Sequence, residues 1–477
     1  MTICLSIIGA GPGGYVAAVR AAQLGARVTL VEADHLGGTC LNWGCIPSKL
    51  MKATADRIEA VRQAPAFGVR LSGSPELDVA VLNQRKEKVI QTQRKGIAGL
   101  MAHHGVRCIQ GRGRIQGPGQ MAVSLADGTA ETVNWDRLIL ATGSRPAPIP
   151  AFPFDGRRII SSNEALYLEA IPESVVIVGG GVIGCEFAYI LSALGSQVTV
   201  VETLDRLLPL PSVDADCSKV LLREMKKQKI ACHVNRTVTS MIPLDGSVRV
   251  AIGPSPLATD PKDRGRAPVE LTASTVLVCI GRTPNTDDVG LETLGVETDA
   301  RGWVCADGRM ATRVDGVYAI GDVLGPDRVM LAHVASAEGM VAAENAMGGH
   351  RTMEYAAIPG AIFTSPEVAT VGLTEAQAVA QGIDARADTV LFRALGKAQV
   401  IGELAGQAKI VSDRIAGRVL GVQLIGPHAT ELIAEGVLAV ETGCTVGQLA
   451  RTIHAHPTLA EIMSETAHKA LGQTLHG

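Results

Sequence analysis

Apolar residues near the start of the chain form two short runs with a longer apolar segment between them. The first run is Leu5 to Ile8, the longer segment extends to about Leu24, and the second run is Val28 to Val31. Short apolar runs predict buried parallel strands, and a longer apolar segment between two of them predicts a helix. The pattern therefore predicts a strand–helix–strand unit.

The same unit recurs about 170 residues further along the chain. Gly195 occupies the position of Gly25 after the predicted helix, and the second strand of each copy ends in an acidic residue, Glu32 or Glu202. A strand–helix–strand unit with this ending is typical of a dinucleotide-binding fold. Two copies predict two such folds.

Three glycines separate the first strand from the helix in each copy, Gly9, Gly11 and Gly14 in one and Gly179, Gly181 and Gly184 in the other. The first glycine allows a tight turn, the second lets the backbone approach a pyrophosphate, and the third lets the helix pack on the strand. The helix N-terminus favours phosphate, and the acidic residue can accept hydrogen bonds from ribose. Two dinucleotides on one chain predict electron transfer between a flavin and a nicotinamide.

The rest of the pattern divides the chain into four predicted regions, 1–148, 149–278, 279–348 and 349–477. Prolines mark the first boundary, and alternating strands flanked by helices fill the last region, where no nucleotide motif occurs. The residues Gly253 to Pro268, with four prolines and mixed charges, predict an exposed, mobile hairpin tip. Asp78 predicts the N-cap of a long helix. The predicted fold class is α/β, with two Rossmann-like dinucleotide-binding domains and a C-terminal α+β domain.

Composition and charge exclude several classes of function. The 477 residues are too many for one core, and the formal net charge of −3 does not favour nucleic acid or an anionic membrane. The apolar stretch Val175 to Gly195 contains a glycine cluster and Glu186, which argue against a membrane span. Ten cysteines without a secreted disulfide pattern favour a reducing, cytoplasmic location, and the first strand leaves no room for a cleaved signal peptide.

Cys40 and Cys45 lie directly after the first dinucleotide unit, in a segment rich in glycine. Positions i and i+5 of a regular helix lie about 8–9 Å apart, whereas a disulfide needs Cα atoms about 4.4–6.8 Å apart. If the two cysteines pair, Cys40 should lie on a distorted turn and Cys45 near the start of a helix. The alternative is two buried structural thiols, but the neighbouring nucleotide motif favours a redox pair.

Two further motifs occur at the ends of predicted elements. Gly321-Asp322 follows a buried strand, where an aspartate can bind a sugar hydroxyl or simply stabilise a turn. His456 is followed five residues later by Glu461, which could orient the imidazole as a general base. A helix beginning at Pro457 and Thr458 would bring the two side chains together. Taken alone, a histidine of this kind is more often a surface residue.

These motifs, in this order from about Ser6 to about Leu471, resemble the FAD-dependent dihydrolipoamide dehydrogenases of the pyridine nucleotide-disulfide oxidoreductase family. The resemblance implies an FAD domain, an NAD domain, a central return to the FAD domain and a C-terminal dimerisation domain. It also implies a homodimer with shared active sites, because His456 would come from the other subunit.

The resemblance further implies the residues that hold the two cofactors, with no metal site. The cofactor-binding residues on the FAD side would be Gly9, Gly11, Gly14, Glu32, Gly38, Thr39, Lys49, Gly113, Thr142, Gly143, Ser144, Asp322, Met330, Leu331, Ala332 and His333. NAD would contact Gly179, Gly181, Gly184, Glu202, Val238 and Gly281. Lys49 would pair with Glu186 beside the flavin.

The implied reaction is the oxidation of protein-bound dihydrolipoamide by NAD⁺ through the Cys40–Cys45 disulfide and FAD. His456, oriented by Glu461, would deprotonate a substrate thiol, because only a thiolate attacks a disulfide. Cys40 would exchange with the substrate, and Cys45 would remain as a thiolate beside the flavin. The implied partner is the lipoyl domain of a 2-oxoacid dehydrogenase or glycine cleavage complex.

Other functions remain open at this point. A reductase of glutathione, a related thiol or mercuric ion is the rival within the family, although a mercuric reductase should carry a C-terminal cysteine pair and this chain ends Gln473 to Gly477. A redox-sensing flavoprotein or a scaffolding subunit is the rival from another class. Glu202 favours NAD⁺, since its carboxylate would oppose the 2′-phosphate of NADP⁺.

Overall fold

The computed structural model describes residues 2–476. Within this range the strands, numbered in chain order, are β1 Cys4–Ile8, β2 Arg27–Glu32, β3 Arg107–Gln110, β4 Arg112–Gly117, β5 Gln120–Ser124, β6 Ala130–Asn134, β7 Arg137–Leu140, β8 Ser144–Pro146, β9 Ile159–Ile160, β10 Ser174–Val178, β11 Gln197–Val201, β12 Ala231–His233, β13 Arg236–Leu244, β14 Ser247–Pro254, β15 Val269–Ala273, β16 Thr275–Val278, β17 Arg282–Pro284, β18 Val317–Ala319, β19 Gly360–Ile362, β20 Glu367–Gly372, β21 Ala385–Leu391, β22 Gln407–Asp413 and β23 Val419–Gly426.

The α-helices of the same range are α1 Pro12–Gln23, α2 Gly38–Asn42, α3 Cys45–Gln63, α4 Val79–His103, α5 Ser162–Ala165, α6 Val182–Ala193, α7 Ala215–Lys227, α8 Pro261–Arg264, α9 Ala332–Ala346, α10 Glu375–Ala380, α11 Gly396–Ile401, α12 Ala429–Glu441, α13 Val446–Arg451 and α14 Glu461–Ala470. Short 3-10 turns lie at Ala64–Phe67, Leu291–Thr293, Gly321–Leu324 and Phe392–Ala394.

The first sheet has the strand order β18-β7-β1-β2-β3, and every pairing in it is parallel. Its strands read as continuous apolar runs because helices cover parallel strands on both faces; Leu5, Ile7 and Leu30 are fully buried. Parallel strands direct their carboxyl ends to one edge, so the loops after β1, β2 and β7 meet there. Strand β18 joins this sheet although the second sheet precedes it in the chain.

The second sheet repeats this architecture with the order β12-β11-β10-β16-β9, again all parallel. The antiparallel sheet β13-β14-β15 is attached to it. Helix α6 connects β10 to β11 as α1 connects β1 to β2. The two Rossmann-like units predicted from the repeated pattern are therefore confirmed.

The C-terminal part forms a five-stranded antiparallel sheet, β19-β20-β23-β22-β21. Helices α12 and α14 pack on it, and Val422, Leu424 and Ile462 are fully buried between them. This is the α+β domain predicted from the alternating pattern after residue 351. Within residues 2–476, no helix combines the length and the apolar character that crossing a bilayer requires.

The segment after β14 connects the antiparallel strands β14 and β15 and is mostly exposed, as the prediction of an exposed hairpin tip requires, but part of it is packed. Ser255 and Ala258 are buried, and the short helix α8 forms between them and β15. Asn235 donates a hydrogen bond to Asp263 at 2.8 Å, and Arg236 donates to the Ala267 carbonyl at 3.0 Å. Prolines and charges correctly indicated an interruption of the strand, but they did not reveal these contacts with the β12–β13 connection.

Candidate active site

The two glycine loops fit a dinucleotide in the same way. Gly9 has a φ of +103°, and a Cβ there would lie 2.2 Å from the Ala141 carbonyl oxygen. Gly179 has a φ of +106°, and a Cβ there would lie 2.5 Å from the Cys279 carbonyl oxygen. Both positions therefore require glycine.

Open space lies at the start of the helix after each loop. The N-cap residues of α1 and α6 are Gly11 and Gly181, which have no side chain. The first N–H groups of each helix therefore receive no hydrogen bond acceptor from the N-cap residue. A Cβ at Gly181 would meet nothing within 4 Å, and the nearest atom to one at Gly11 lies 4.0 Å away. A helix N-terminus left open in this way suits a pyrophosphate.

The acidic residues after β2 and β11 fold back over the glycine loops. Glu32 accepts hydrogen bonds from the backbone N–H of Ala10 at 2.6 Å and of Asp34 at 2.8 Å. Glu202 accepts from Gly180 at 2.6 Å and from Leu204 at 2.8 Å. Burial raises the pKa of the Glu32 carboxyl, although these N–H donors oppose the shift. Both carboxylates lie at the ends of their strands beside the glycine loops, and their contacts with ribose remain predictions.

Asp322 lies at the same edge of the first sheet, in the 3-10 turn after β18. Its carboxylate accepts a hydrogen bond from Ser144 Oγ at 2.7 Å. Asn285 donates from its side chain to the Thr142 carbonyl at 2.9 Å and from its backbone to the Gly143 carbonyl at 3.0 Å. These contacts bring the predicted residues 142–144 and Asp322 into one group.

Helix α9 adds the predicted residues Met330 to His333 to this edge. Leu331 is its N-cap and carries no side-chain cap. The helix packs tightly on α1, since a Cβ at Gly13 would lie 2.9 Å from the Ala335 carbonyl oxygen. His333 Nε2 lies 3.0 Å from the Pro359 carbonyl oxygen, which is a protein contact rather than a free ligand position.

Three of the predicted cofactor contacts lie outside the loops described so far. Gly113 lies on β4, where a Cβ would be 3.3 Å from Val31. Gly281 follows β16 and has a φ of +138°. Val238 is 5% exposed and packs in the apolar core with Val201, so a contact with NAD there would involve the backbone only. All three remain predictions.

Cys40 and Cys45 lie side by side as free thiols. Cys40 is in the short helix α2 and Cys45 is the first residue of α3. The prediction that Cys40 lies on a distorted turn is therefore wrong in detail, because the break falls at Trp43 and Gly44, which has φ −155° and ψ −108°. Two helices meeting at this break bring the thiols closer than one continuous helix would.

The environment of the pair favours a thiolate on Cys45 over one on Cys40. The hydrogen bond from Cys40 and then the charge of Lys49 lower the pKa of Cys45 to about 7, although burial and Glu186 oppose the shift. The same hydrogen bond, together with burial, raises the pKa of Cys40. The proton of the reduced pair is therefore held on Cys40.

The predicted Lys49–Glu186 pair joins α3 of the first unit to α6 of the second. Lys49 Nζ lies 2.8 Å from Glu186 Oε2 and 4.4 Å from the ring centroid of Phe363. Glu186 is 6% exposed and also accepts from the Phe363 backbone N–H at 2.9 Å. The lysine charge is thus held in place close to Cys45.

His456 and Glu461 form the predicted pair at the start of the last helix. His456 Nδ1 donates to Glu461 Oε1 at 2.9 Å, and Thr458 N donates to Glu461 Oε2 at 2.8 Å. Burial acts to raise the pKa of Glu461, but these two hydrogen bonds and the neighbouring imidazoles outweigh it and hold that pKa below its usual value. Helix α14 begins at Glu461, so the expected helix start at Pro457 is wrong although the contact that it was meant to explain exists.

Arg282 is a functional candidate that the sequence motifs did not indicate. Its Nε donates to Ser144 Oγ at 2.6 Å, its Nη2 donates to the Ser144 carbonyl at 2.8 Å, and its Nε lies 3.7 Å from Asp322 Oδ2. Burial lowers the pKa of Arg282, while Asp322 and Cys45 act in the opposite direction. The run Gly281-Arg282-Thr283-Pro284 after an apolar strand was the available signal.

Comparison with known proteins identifies the family of the chain. Residues 5–339 match the family model of the pyridine nucleotide-disulphide oxidoreductases, and residues 358–467 match the dimerisation domain of the same family. The chain belongs to the pyridine nucleotide-disulphide oxidoreductase family. Membership of this family, which the motifs predicted, is confirmed.

Several curated members of the family are similar over nearly their whole length. The dihydrolipoyl dehydrogenase of Haloferax volcanii is 41% identical over 476 residues, covering 99% of this chain and 97% of the relative. That of Chlamydia muridarum is 40% identical over 472 residues, covering 98% and 97%. The mitochondrial dihydrolipoyl dehydrogenase of Dictyostelium discoideum is 39% identical over 474 residues, covering 98% and 94%.

Solved structures of the family have the same fold. LpdA from Mycobacterium tuberculosis has a TM-score of 0.88 and 30% sequence identity, covering 98% of this chain and 100% of that one. The flavoprotein disulfide reductase RclA from Escherichia coli has a TM-score of 0.84, 24% identity and coverage of 98% and 99%, which shows the fold alone. The predicted mixed α/β fold class is thereby confirmed.

Membership of the family establishes the class of chemistry. The chain is an oxidoreductase that uses FAD and NAD, and its two open glycine loops fit two dinucleotides. The match to the dimerisation domain supports a homodimer. Leu438 and Ile453 in that domain are 64% and 96% exposed, as expected for apolar side chains that a second subunit covers.

Proposed function

We propose that this protein oxidises protein-bound dihydrolipoamide to lipoamide with NAD⁺ as the acceptor. The observation that carries the proposal is the pairing of Cys40 with Cys45, at the start of α3 and close to the Lys49–Glu186 ion pair. The full-length similarity to dihydrolipoyl dehydrogenases supports the choice of substrate. The partner would be the lipoyl domain of a 2-oxoacid dehydrogenase or glycine cleavage complex.

The first chemical step would be the opening of the Cys40–Cys45 disulfide by a substrate thiolate. His456, oriented by its hydrogen bond to Glu461, accepts the proton of the first substrate thiol. The resulting thiolate forms a bond with Cys40 Sγ, and the Cys40–Cys45 bond breaks with its electron pair going to Cys45. Lys49 stabilises the Cys45 thiolate electrostatically.

The second step would release the oxidised product. The second substrate thiol loses its proton, attacks the first substrate sulfur and closes the lipoyl ring, while Cys40 leaves and takes up a proton. The substrate has then lost two electrons and the cysteine pair has gained them. FAD, when bound, supplies the route by which this electron pair reaches NAD⁺.

The cofactors would be held by the residues that the resemblance implies. Glu32, Asp322, Ser144 and the start of α9 suit FAD on the first sheet, and Glu202 with the loop from Gly179 suits NAD on the second. Arg282 joins the FAD group on geometric grounds, because it is anchored on Ser144. The region boundaries at 148, 278 and 348 and the cytoplasmic location also stay predictions.

The active site would be shared between two subunits. Within the described chain, the hydrogen-bond partner of His456 is Glu461, and Glu461 binds His456 and Thr458. The imidazole is exposed, with 76% of its side-chain surface accessible. An exposed base beside apolar residues of the dimerisation domain is well placed to face Cys40 of a partner subunit.

Substrate turnover tests the proposal directly. Purified holoenzyme should oxidise free dihydrolipoamide with NAD⁺ and should reduce glutathione disulfide with NADH or NADPH at no more than a background rate. Faster turnover of glutathione disulfide than of dihydrolipoamide would contradict the substrate assignment and favour the rival reductase.

Mixed dimers test the shared site. Cys45→Ser and His456→Ala should each lose turnover of dihydrolipoamide. In His456→Ala the turnover rate should fall by roughly 10²–10⁴-fold. After confirmed subunit exchange, a mixture should regain activity, because a heterodimer contains one intact site. No recovery would contradict the assignment of His456 to the neighbouring subunit's cysteines.

A further inference from the structure

Side chains from outside the redox segment hold the two residues midway between Cys40 and Cys45. The Asn42 carbonyl accepts a hydrogen bond from Tyr167 Oη at 2.9 Å, and the Asn42 side-chain oxygen accepts from Arg94 Nε at 2.6 Å. The Trp43 ring meets the Tyr167 ring edge-on, with centroids 5.4 Å apart and an interplanar angle of 67°. The turn between the thiols is therefore fixed by its surroundings.

Tyr167 reaches this turn from the second nucleotide unit. In the chain, Tyr167 lies between β9 and β10, which are strands of the second sheet. The redox segment lies between β2 and β3, which are strands of the first sheet. Helix α2 ends at Asn42, and the last carbonyls of a helix have no partner within the helix. The Tyr167 hydroxyl satisfies one of them.

Lys86 on α4 holds Tyr167 in place. Lys86 is 1% exposed, donates from Nζ to the Leu166 carbonyl, and lies 5.0 Å from the Tyr167 ring centroid. No carboxylate within residues 2–476 forms an ion pair with it, and burial lowers its pKa to about 8. A buried amine whose contacts are one carbonyl and one aromatic face restricts both groups to the observed geometry.

A fixed turn affects the two redox states of the cysteine pair unequally. The disulfide restrains the turn covalently, but the dithiol depends on the surrounding contacts to keep the two sulfur atoms together. Loosening the turn would therefore release conformational entropy mainly in the dithiol and favour that state. We propose that Tyr167, held in place by Lys86, is a positioning residue that shifts the Cys40–Cys45 equilibrium toward the disulfide.

The test is the thiol–disulfide equilibrium of Tyr167→Phe, which removes the hydroxyl and keeps the ring. Holoenzyme is equilibrated with lipoamide and dihydrolipoamide at fixed ratios without NAD⁺. Free thiols are then alkylated with one isotopic form of a reagent, the disulfide is reduced with excess reductant under denaturing conditions, and the newly formed thiols are alkylated with the other form. Mass spectrometry of the peptide that carries Cys40 and Cys45 counts the two labels. A hydrogen bond of this kind corresponds to about a two- to tenfold change in an equilibrium constant. We expect a shift of that size toward the dithiol, up to about 30 mV.

Tyr189→Phe is the matched control. Tyr189 Oη donates to Asp56 Oδ1 at 2.7 Å, so it also joins the second unit to α3, the helix that begins at Cys45, but it does not touch the turn between the cysteines. The thiol–disulfide equilibrium of Tyr189→Phe should equal that of the wild type. A shift in Tyr167→Phe no larger than in Tyr189→Phe would overturn the inference.

Lys86→Met provides a second, independent variant. It should shift the equilibrium in the same direction as Tyr167→Phe, and the double variant should show less than the sum of the two effects, because both act through one contact. Full additivity, or a shift toward the disulfide, would overturn the role of Lys86. The inference rests on the proposed function, so a wild-type pair that does not respond to the substrate ratio would overturn both, whereas a responsive wild type with an unshifted Tyr167→Phe overturns the inference alone.

Discussion

The two dinucleotide-binding units are nearly identical in their glycine loops. A Cβ at Gly14 or at Gly184 would lie 1.9 Å from the carbonyl oxygen of the first glycine in its loop. Glu32 and Glu202 accept hydrogen bonds from equivalent backbone positions at equal distances, 2.6 Å and 2.8 Å in each unit. The two units therefore use the same backbone geometry at their dinucleotide-binding loops.

The units differ in the segment on the C-terminal side of the acidic residue. After Glu32 the chain packs against the first loop, where a Cβ at Gly38 would lie 2.6 Å from the Gly11 Cα, and continues into the two thiols. After Glu202 it reaches Arg206, whose guanidinium donates to the Leu210 and Val213 carbonyls and to Ser218. Binding is therefore common to both units, while thiol chemistry belongs to the first.

Serine substitutions of the two cysteines should separate the activities of the two units most clearly. Cys40→Ser and Cys45→Ser should each lose dihydrolipoamide turnover by at least about 10³-fold, because the disulfide cannot form. The second unit should stay intact, so reduction of a small artificial acceptor by NADH should persist in both variants.

The same two variants should differ from each other in their absorbance. Cys40→Ser leaves the thiolate of Cys45 next to the FAD site and should show a long-wavelength band, whereas Cys45→Ser should not. Loss of NADH-dependent acceptor reduction would contradict the separation of the units, and a band in Cys45→Ser alone would reverse the roles of the two cysteines.

Alanine in the first glycine of each loop should damage one unit at a time. Gly9→Ala should reduce the FAD content of the purified protein, and Gly179→Ala should raise the KM for NAD⁺ at least about tenfold while FAD is retained, since each Cβ would collide with a backbone carbonyl. Absorbance of bound flavin and steady-state kinetics measure the two effects.

Gly25→Ala and Gly195→Ala are the controls for the two alanine variants. Both glycines have positive φ, at +89° and +115°, but a Cβ at either would meet nothing within 4 Å. They should leave cofactor binding nearly unchanged. An equal loss in these controls would show that backbone strain alone, and not the contact at the loop, accounts for the damage.

Glu202 should set the choice of nucleotide in the second unit. One charge pair at 4 Å costs roughly 4 kcal/mol at an effective dielectric constant near 20, before screening. Arg206 is not free to clamp the 2′-phosphate, because hydrogen bonds to two backbone carbonyls and a serine hydroxyl hold its guanidinium. We expect kcat/KM to favour NAD⁺ over NADP⁺ at least about tenfold and the preference to fall in Glu202→Ala. Glu32→Ala should leave the preference unchanged, and equal use of both nucleotides by the wild type would contradict the argument.

Lys49 should tune the thiolate of the first unit by a smaller amount. The pKa of Cys45 is lowered to about 7, first by the hydrogen bond from Cys40 and then by Lys49. A lowered thiol pKa means that the thiolate is present above about pH 7 and is lost as the pH falls through that value. In Lys49→Met the pKa should rise, and the thiolate fraction at pH 7 should fall from about half toward the few per cent of a free thiol.

A pH titration of the long-wavelength absorbance of the reduced enzyme measures the effect of Lys49. Lys52→Met, which removes a lysine from the same helix whose partners are Asp56 and Glu367, is the control and should titrate as the wild type does. An unchanged midpoint in Lys49→Met would mean that the Cys40 hydrogen bond alone stabilises the thiolate.

Local sequence determined the two nucleotide units and the candidate cysteine and histidine sites. Apolar runs, positive-φ glycines and the acidic strand ends are set by residues near one another in the chain, so each predicts its element without knowledge of the rest. Asp78 was predicted as an N-cap for the same reason, and its side chain accepts from Val81 N at 2.9 Å. The family resemblance then supplied the roles, which short motifs alone left open.

Only the tertiary structure decided which distant residues complete the site. Arg282 and Ser144 are 138 positions apart, and the Tyr167 hydroxyl meets Asn42 across 125 positions. Lys49 and Glu186 are 137 apart, and only the family resemblance, not a local motif, paired them. These contacts depend on the order of strands in each sheet and on the packing of α3 against α6, which local periodicity does not encode. The pKa of Cys45 combines both levels, because Cys40 and Lys49, which lower it, are close in the chain, whereas the burial and the Glu186 charge that oppose them come from the fold.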